Sequence, residues 1–346
     1  MNHLAIGSIE GVSTICLGGG SYGSQISEAA AARLLDAFAE AGGTFVDTAH
    51  IYGAWDKTGL AGGCGNSEVA IGRWMKARNC RDRMIIGTKG GHPDFNTGET
   101  CMTREGIRRH LHESLDHLQT DYIDIYWFHR DDRAIPVADI LGWMQEPVAQ
   151  GLIRVLGCSN WRTGRIAEAR AVAAAQGLPL IEASQISWSL AQDNHPLVTN
   201  KFGEQVSMDD ATWEFHRRTQ LPQVAYNGQA GGFFALYDGY DEKALQSPDF
   251  PRPGVIRKYG NELTWQRRRL AQALAKKKGC TANHIALAWM LHQPFPTFPI
   301  IGPGSVEHLT DSLRALSIAL SPAEAEMLRA GTEDDGAMIC ASRGRM

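Results

Sequence analysis

Four side chains carry the chemistry this sequence could perform: Asp47 and Tyr52 in FVDTAHIYG, Lys89 in IIGTKGG, and His129 in DYIDIYWFHRDD. A phenol is a weak acid, with an ordinary pKa of about 10. An ammonium beside it favours the phenolate, and a carboxylate beside the ammonium keeps that cation in place. An imidazole within reach can orient a carbonyl or relay a proton. Together the four suit protonation of an oxygen that becomes an alkoxide as a hydride reaches its carbon. Taken singly, each residue type is more often a packed or hydrogen-bonded loop residue. The ordered set is what points to an enzyme.

Each of these groups follows an apolar run that reads as a β-strand. The expected strands cover residues 13–17, 44–47, 84–88, 122–128, 153–157, 180–184, 223–226 and 298–301. Helical periodicity lies between and after them, near 27–41, 67–78, 103–118, 136–150, 162–176, 207–219, 262–292 and 305–315. Ser27, Thr103, Ser207 and Thr281 supply start signals. Strands too apolar to face water, alternating with helices, argue for a parallel sheet covered on its outside. Eight such units close a (β/α)8 TIM barrel, whose loops at the carboxyl ends of the strands build the active site. We read one domain over 1–346, with long loops at that face, at 54–65 and at 227–261, and a loose tail from residue 333.

The 346 residues are 43% hydrophobic, enough for a full core. A net charge of −4 offers no general attraction for nucleic acid or an anionic membrane. No run approaches the roughly 18 apolar residues of a membrane span, and MNHLAIGSIEGV lacks the pattern of a secretory leader. The cysteines, at 16, 64, 80, 101, 158, 280 and 340, are odd in number and lack CxxC spacing. That suits reduced thiols, and we expect a cytoplasmic protein. In RRHLHESLDHL only His110 and His117 share a helix face, two turns apart, so no metal is assigned. The runs at 267–269 and 276–278 read as an exposed basic face. LGGGSYG contains GxGxxG at Gly18, Gly20 and Gly23, but the helix signal begins only at Ser27, which argues against a Rossmann unit.

The chain resembles the aldo-keto reductase superfamily from about Ile15 to Leu328. FVDTAHIYG, GNSEVAIGRWM, IIGTKGG, DYIDIYWFH, GLIRVLGCSN, the glutamine of ASQISWSL and IIGPGSVEHLTDSLRAL are similar to successive family segments. The resemblance implies Tyr52 as general acid/base, Asp47 and Lys89 tuning it, and His129 orienting the carbonyl. It also implies a nicotinamide dinucleotide. Ser159, Asn160 and Gln185 would meet the carboxamide, Tyr226 would stack on the ring, and Gly20, Ser21 and Tyr22 would lie under the nicotinamide half, beside Asp47. Gly232, Ile301, Gly302, Gly304, Ser305, His308 and Ser312 would follow the rest of the dinucleotide. NADP(H) is expected over NAD(H), although Gly304, His308 and Ser312 stand where many relatives carry basic or amide side chains, and a 2′-phosphate favours a guanidinium.

For substrate, Trp55, Arg130 and Trp161 are the candidates, with Trp127 and Trp188 also expected near the rim. Aromatic faces beside charged hydrogen-bonding groups suit a small, polar, sugar-like carbonyl or alcohol. The competing view is that Arg130 pairs with Asp131 and Asp132 while the tryptophans simply pack. Two other functions fit the same barrel: a lyase or epimerase using a held nicotinamide transiently, and a cofactor-binding regulatory subunit. Oligomeric state is left open.

Overall fold

A computed structural model describes residues 1–236 and 253–332. The chain enters through an antiparallel hairpin, β1 (His3–Ile6) and β2 (Ile9–Ser13), and then winds β3 (Cys16–Gly18), β4 (Phe45–Asp47), β5 (Ile85–Gly90), β6 (Ile123–Phe128), β7 (Ile153–Ser159) and β8 (Ile181–Ser187). A second antiparallel hairpin, β9 (Leu197–Asn200) and β10 (Gly203–Val206), interrupts the series before β11 (Gln223–Tyr226) and β12 (Thr297–Ile301). The eight strands β3–β8, β11 and β12 pair in parallel and close a barrel in the order β11-β12-β3-β4-β5-β6-β7-β8. Each expected strand lies on one of these eight.

Every residue of β5 and β6 is buried, which is why these runs read as nearly continuous apolar sequence. The pleat still sorts them. Phe45, Ile85, Ile125, Trp127, Val155, Val224 and Phe298 fill the barrel interior. Ile86, Tyr126, Phe128 and Leu156 face the helices outside. Ile6, Ile9 and Val12 of the first hairpin join the interior cluster and so plug the amino-terminal end. Trp127 fits inside because Gly157 and Gly87 lack the Cβ that would strike its ring. This inward placement corrects its expected place at the rim.

The helices follow the expected pattern with local corrections. The 262–292 stretch is two helices, Glu262–Lys278 and Ala282–Leu291. Gly279, at φ 67°, ends the first, and a Thr281/His284 capping box starts the second. The 136–150 stretch is likewise divided, into Val137–Gly142 and Gln145–Ala149. Asp209, not Ser207, caps the helix Asp210–Thr219 by accepting from Thr212 N at 2.7 Å. The 267–269 run is not wholly exposed: Arg267 and Arg268 are buried, and Arg267 donates to the carbonyls of Leu190 and Arg329. A helix at Pro322–Ala330 and both hairpins were not anticipated. Within the 227–261 loop, short helices occupy Ala230–Gly232, Phe233–Leu236 and Pro253–Tyr259. Residues 237–252 of that loop, and the expected tail, fall outside the described residues.

Candidate active site

β4, β5 and β6 are neighbours, so their carboxyl ends deliver Asp47, Lys89 and His129 to one rim. The ladder continues past the strands: Thr48 N donates to Gly87 O, His50 N to Lys89 O and His129 N to Gly90 O. Tyr52 follows in a turn closed by its own N–H to Ala49 O. Lys89 is 1% exposed and spends its ammonium on three oxygens. They are Asp47 Oδ2 at 2.5 Å, Thr48 O at 2.6 Å and Tyr52 Oη at 3.4 Å. Burial disfavours both charges of the Asp47–Lys89 pair. Asp47 and the neighbouring Tyr52 oxygen outweigh it at Lys89, whose pKa lies above its ordinary value. Gln185, reaching from β8 across the barrel, donates to Asp47 Oδ1 at 2.9 Å. The carboxylate therefore accepts from both sides.

His129 stands edge-on to the Tyr52 ring, with centroids 6.1 Å apart. Burial, with help from the Arg130 charge, holds its pKa well below the usual imidazole value, so the ring is neutral. Its Nδ1 is enclosed and has no hydrogen-bond partner. Behind the rim, the Gly-x-Ser-Glu segment has a plain structural purpose. Ser67 bonds Thr48 and Gly19 O, and Glu68 accepts from Thr88 at 2.6 Å and pairs with His117 at 3.1 Å. These contacts pin the helix Asn66–Arg78 to the ends of β4 and β5. His110 and His117 do face one way, with His110 stacked on His50 at 4.0 Å. Among the described residues no group of three or more side chains could hold a metal ion.

A second group of expected residues gathers beside this set. Ser159 ends β7, and Asn160 follows in the left-handed region at φ 60°. Asn160 donates to Ser159 Oγ at 3.0 Å and accepts at Oδ1 from Tyr226 Oη at 2.7 Å and Val206 N at 3.1 Å. Ser159, Asn160 and Gln185 thus form a buried patch of amide and hydroxyl groups, the donor set a carboxamide would need. Tyr226 also lines a cavity of about 240 Å³ with Asp193, Ser207, Arg257 and Lys258. Gly20 sits against the Tyr52 ring, and Ser21 is only partly buried. The Tyr22 side chain packs in the core at 1% exposure, which leaves only its main chain for any ligand at the rim. Ile301, the last residue of β12, is buried, and Gly302 and Gly304 beyond it are exposed. Ser305 caps the helix Val306–Leu313, with His308 exposed. Ser312 is buried and accepts from Gln229 at 3.1 Å, which ties the loop carrying Gly232 to that helix.

The tryptophans separate clearly. Trp55 is 43% exposed at the rim, beside Phe95. Trp161 is buried, stacks on Phe128 and donates to Arg130 O at 3.2 Å. Trp188 packs on Trp289 and Phe295, away from its expected rim position. Arg130 pairs with neither following aspartate, because Asp131 is engaged by Arg165 at 3.3 Å. Its Nε and Nη1 instead donate to Phe202 O and His129 O, each at 3.0 Å. Residues not anticipated here are His92, whose ring lies 4.8 Å from that of His129, and Phe95 and Phe202, which stack at 5.9 Å. His92 had a sequence signal, three residues after Lys89. Phe202 had none.

Comparison with known proteins gives a consistent picture. The aldo/keto reductase family matches residues 14–332. The chain is 32% identical over 328 residues to the uncharacterized oxidoreductase YrpG of Bacillus subtilis, covering 92% of this chain and 90% of that protein. It is 29% identical to norsolorinic acid reductase of Aspergillus flavus, over 93% of this chain and 79% of the other. It is 28% identical to an aryl-alcohol dehydrogenase (NADP(+)) of Phanerodontia chrysosporium, over 92% and 82%. Among solved structures, the thermostable aldo-keto reductase Tm1743 in complex with the inhibitor epalrestat aligns with a TM-score of 0.68 at 25% identity. That alignment covers 96% of this chain and 100% of the other.

Proposed function

Because the chain belongs to the aldo/keto reductase family, oxidoreductases that act on carbonyls or alcohols with nicotinamide cofactors, we propose that it interconverts a carbonyl and an alcohol on a small, polar, sugar-like substrate, with Tyr52 as general acid/base. The observation that carries this reading is the buried Lys89 ammonium, which bridges the Asp47 carboxylate and the Tyr52 phenol. In the reducing direction Tyr52 gives its proton to the substrate oxygen as that oxygen gains charge. Lys89 stabilises the phenolate left behind, and Asp47, held by Gln185, keeps Lys89 charged and aimed. His129, neutral, holds the carbonyl oxygen toward Tyr52 by a hydrogen bond from its ring.

The bound dinucleotide would supply the hydride. Ser159, Asn160 and Gln185 would hold its carboxamide, Tyr226 its ring, and the 227–232 and 301–312 segments the remainder. NADP(H) is the proposed form. Ser305 and the first amides of its helix would receive the 2′-phosphate, against the opposing charge of Glu307, whose carboxylate bonds Ser305. Trp55 and Arg130 would contact substrate, with Trp161 fixing the Arg130 main chain.

A second substrate reading, an aryl carbonyl, is favoured by the run of rings Trp55, Phe95, Phe202 and His92 leading to His129. The name of the aryl-alcohol relative lies in the same direction. One panel separates the readings. Aldoses and aryl aldehydes are offered with NADPH or NADH, and loss of the reduced cofactor's absorbance is followed. Aldose turnover, faster with NADPH, is expected. Turnover of aryl aldehydes alone would select the second substrate reading, and oxidation of neither cofactor by any carbonyl would overturn the activity.

A further inference from the structure

A charged side chain leaves water readily only when an opposite charge or a full set of acceptors replaces it. Arg130 has neither. It is only 8% exposed. Among the described residues no carboxylate lies within ion-pair distance: Asp131 belongs to Arg165, and Glu204 to Arg162 and Arg133. Its two hydrogen bonds go to neutral main-chain carbonyls, leaving Nη2 without a partner though not fully enclosed. Burial depresses its pKa, and the groups that offset this are the phenol oxygens of Tyr226 and Tyr52. The guanidinium thus lies at the end of β6 beside His129, within electrostatic reach of both tyrosines.

The scaffold around Arg130 is built to keep it there. Trp161 Nε1 holds its carbonyl. The β9–β10 turn supplies Phe202 O, and Gly203, at φ 94°, lies beside the arginine stem, where a Cβ would be 3.5 Å from Arg130 Cδ. We propose that Arg130 is a specificity-determining residue that receives a carboxylate on the substrate, so that the preferred substrate is an anionic carbonyl compound, such as a sugar acid or an aryl aldehyde acid. One unpaired cation balances one carboxylate. A phosphate monoester, with nearly twice the charge, would leave an excess in a site where His129 and His92 are neutral. This assignment rests on the reductase reading above and names the substrate class for it.

The test compares 4-carboxybenzaldehyde with its methyl ester, and glucuronate with glucose, for the wild type, Arg130→Met and Arg130→Lys. Dinucleotide binding, followed by tryptophan fluorescence, checks that each variant is folded. The wild type is expected to favour the acid of each pair in kcat/KM by on the order of 10- to 100-fold, the size of one charge-assisted bond. Arg130→Met is expected to bring the ratio near one, and Arg130→Lys to keep part of it. Equal use of acid and ester by the wild type, or a preference that survives in Arg130→Met, overturns the proposal while leaving the reductase reading intact. Calorimetric titration of the dinucleotide-loaded protein with benzoate and with inorganic phosphate decides the matter independently of turnover. Benzoate binding lost in Arg130→Met supports the site even if no aldehyde is reduced. Benzoate binding equal in both proteins, or phosphate binding tighter than benzoate, refutes it.

Discussion

Lys89 lies under the rim with oxygens on three sides, and its removal would strand the Asp47 carboxylate in the barrel mouth. Breaking a buried pair from one side costs about 3–5 kcal/mol, because the surviving charge is left uncompensated. Lys89→Met should therefore lose about that much in urea unfolding, and adding Asp47→Asn should recover part of the loss. A double variant that sums two full penalties would contradict the pairing argument. At this scale the sequence was informative where chemistry follows an apolar run, as for Asp47, Lys89 and His129. It was silent where a side chain's partner comes from a distant element. Gln185 meets Asp47 across 138 residues of chain, and Arg130 finds Phe202 O across 72. The proximity of Asp131 and Asp132 in sequence suggested an ion pair that the fold gives to Arg165.

Strands buried on both faces announce themselves by composition, and all the barrel strands were legible for that reason. The β9–β10 hairpin was not, because every residue of β9 is exposed and no apolar alternation marks it. Helix ends were legible only in part. Ser207 and Asp209 are both good caps by type, and the choice depends on where the chain leaves the β10 end. Asp209→Ala should cost about 1 kcal/mol of stability in urea. Ser207→Ala should leave the helix start unchanged while releasing the bond from Ser207 Oγ to Asp193. Equal helix fraying in both variants would show the cap misassigned. Inside the barrel, Gly157→Ala drives a methyl into the Trp127 ring. It should lose about 1–3 kcal/mol, the usual cost of overpacking, and a fully stable variant would mean that Trp127 has another rotamer available.

The molecule as a whole buries several imidazoles in the neutral form. Burial lowers His92 and His216 to about 4 and His110 to about 3, and His129 is depressed as well. In the unfolded chain these groups take up protons near pH 6.5, so between that value and their folded values the unfolded state binds more protons. Their contribution to stability is complete above about pH 6.5 and is lost as pH falls, at up to about 1.4 kcal/mol per pH unit for each. His117 works oppositely, since its bond to Glu68 raises its pKa; it stabilises below the unfolded value and loses that contribution as pH rises through the folded one. The net expectation is a thermal midpoint that falls as pH is lowered from about 7 to about 5. A midpoint that rises over that window would contradict it. The barrel itself follows from counting eight apolar runs, whereas which histidines lie buried depends on packing between elements that no local pattern encodes.

The central claim is that Tyr52 moves the proton, and the most direct test is the kcat of Tyr52→Phe beside its dinucleotide affinity. Phenylalanine keeps the ring and removes only the oxygen that Lys89 addresses. The account predicts kcat lower by about 10²- to 10⁴-fold, the usual contribution of a positioned acid, with dinucleotide binding by fluorescence within about twofold of wild type. Turnover that persists at the wild-type rate in that variant, with the cofactor bound equally well, would contradict it.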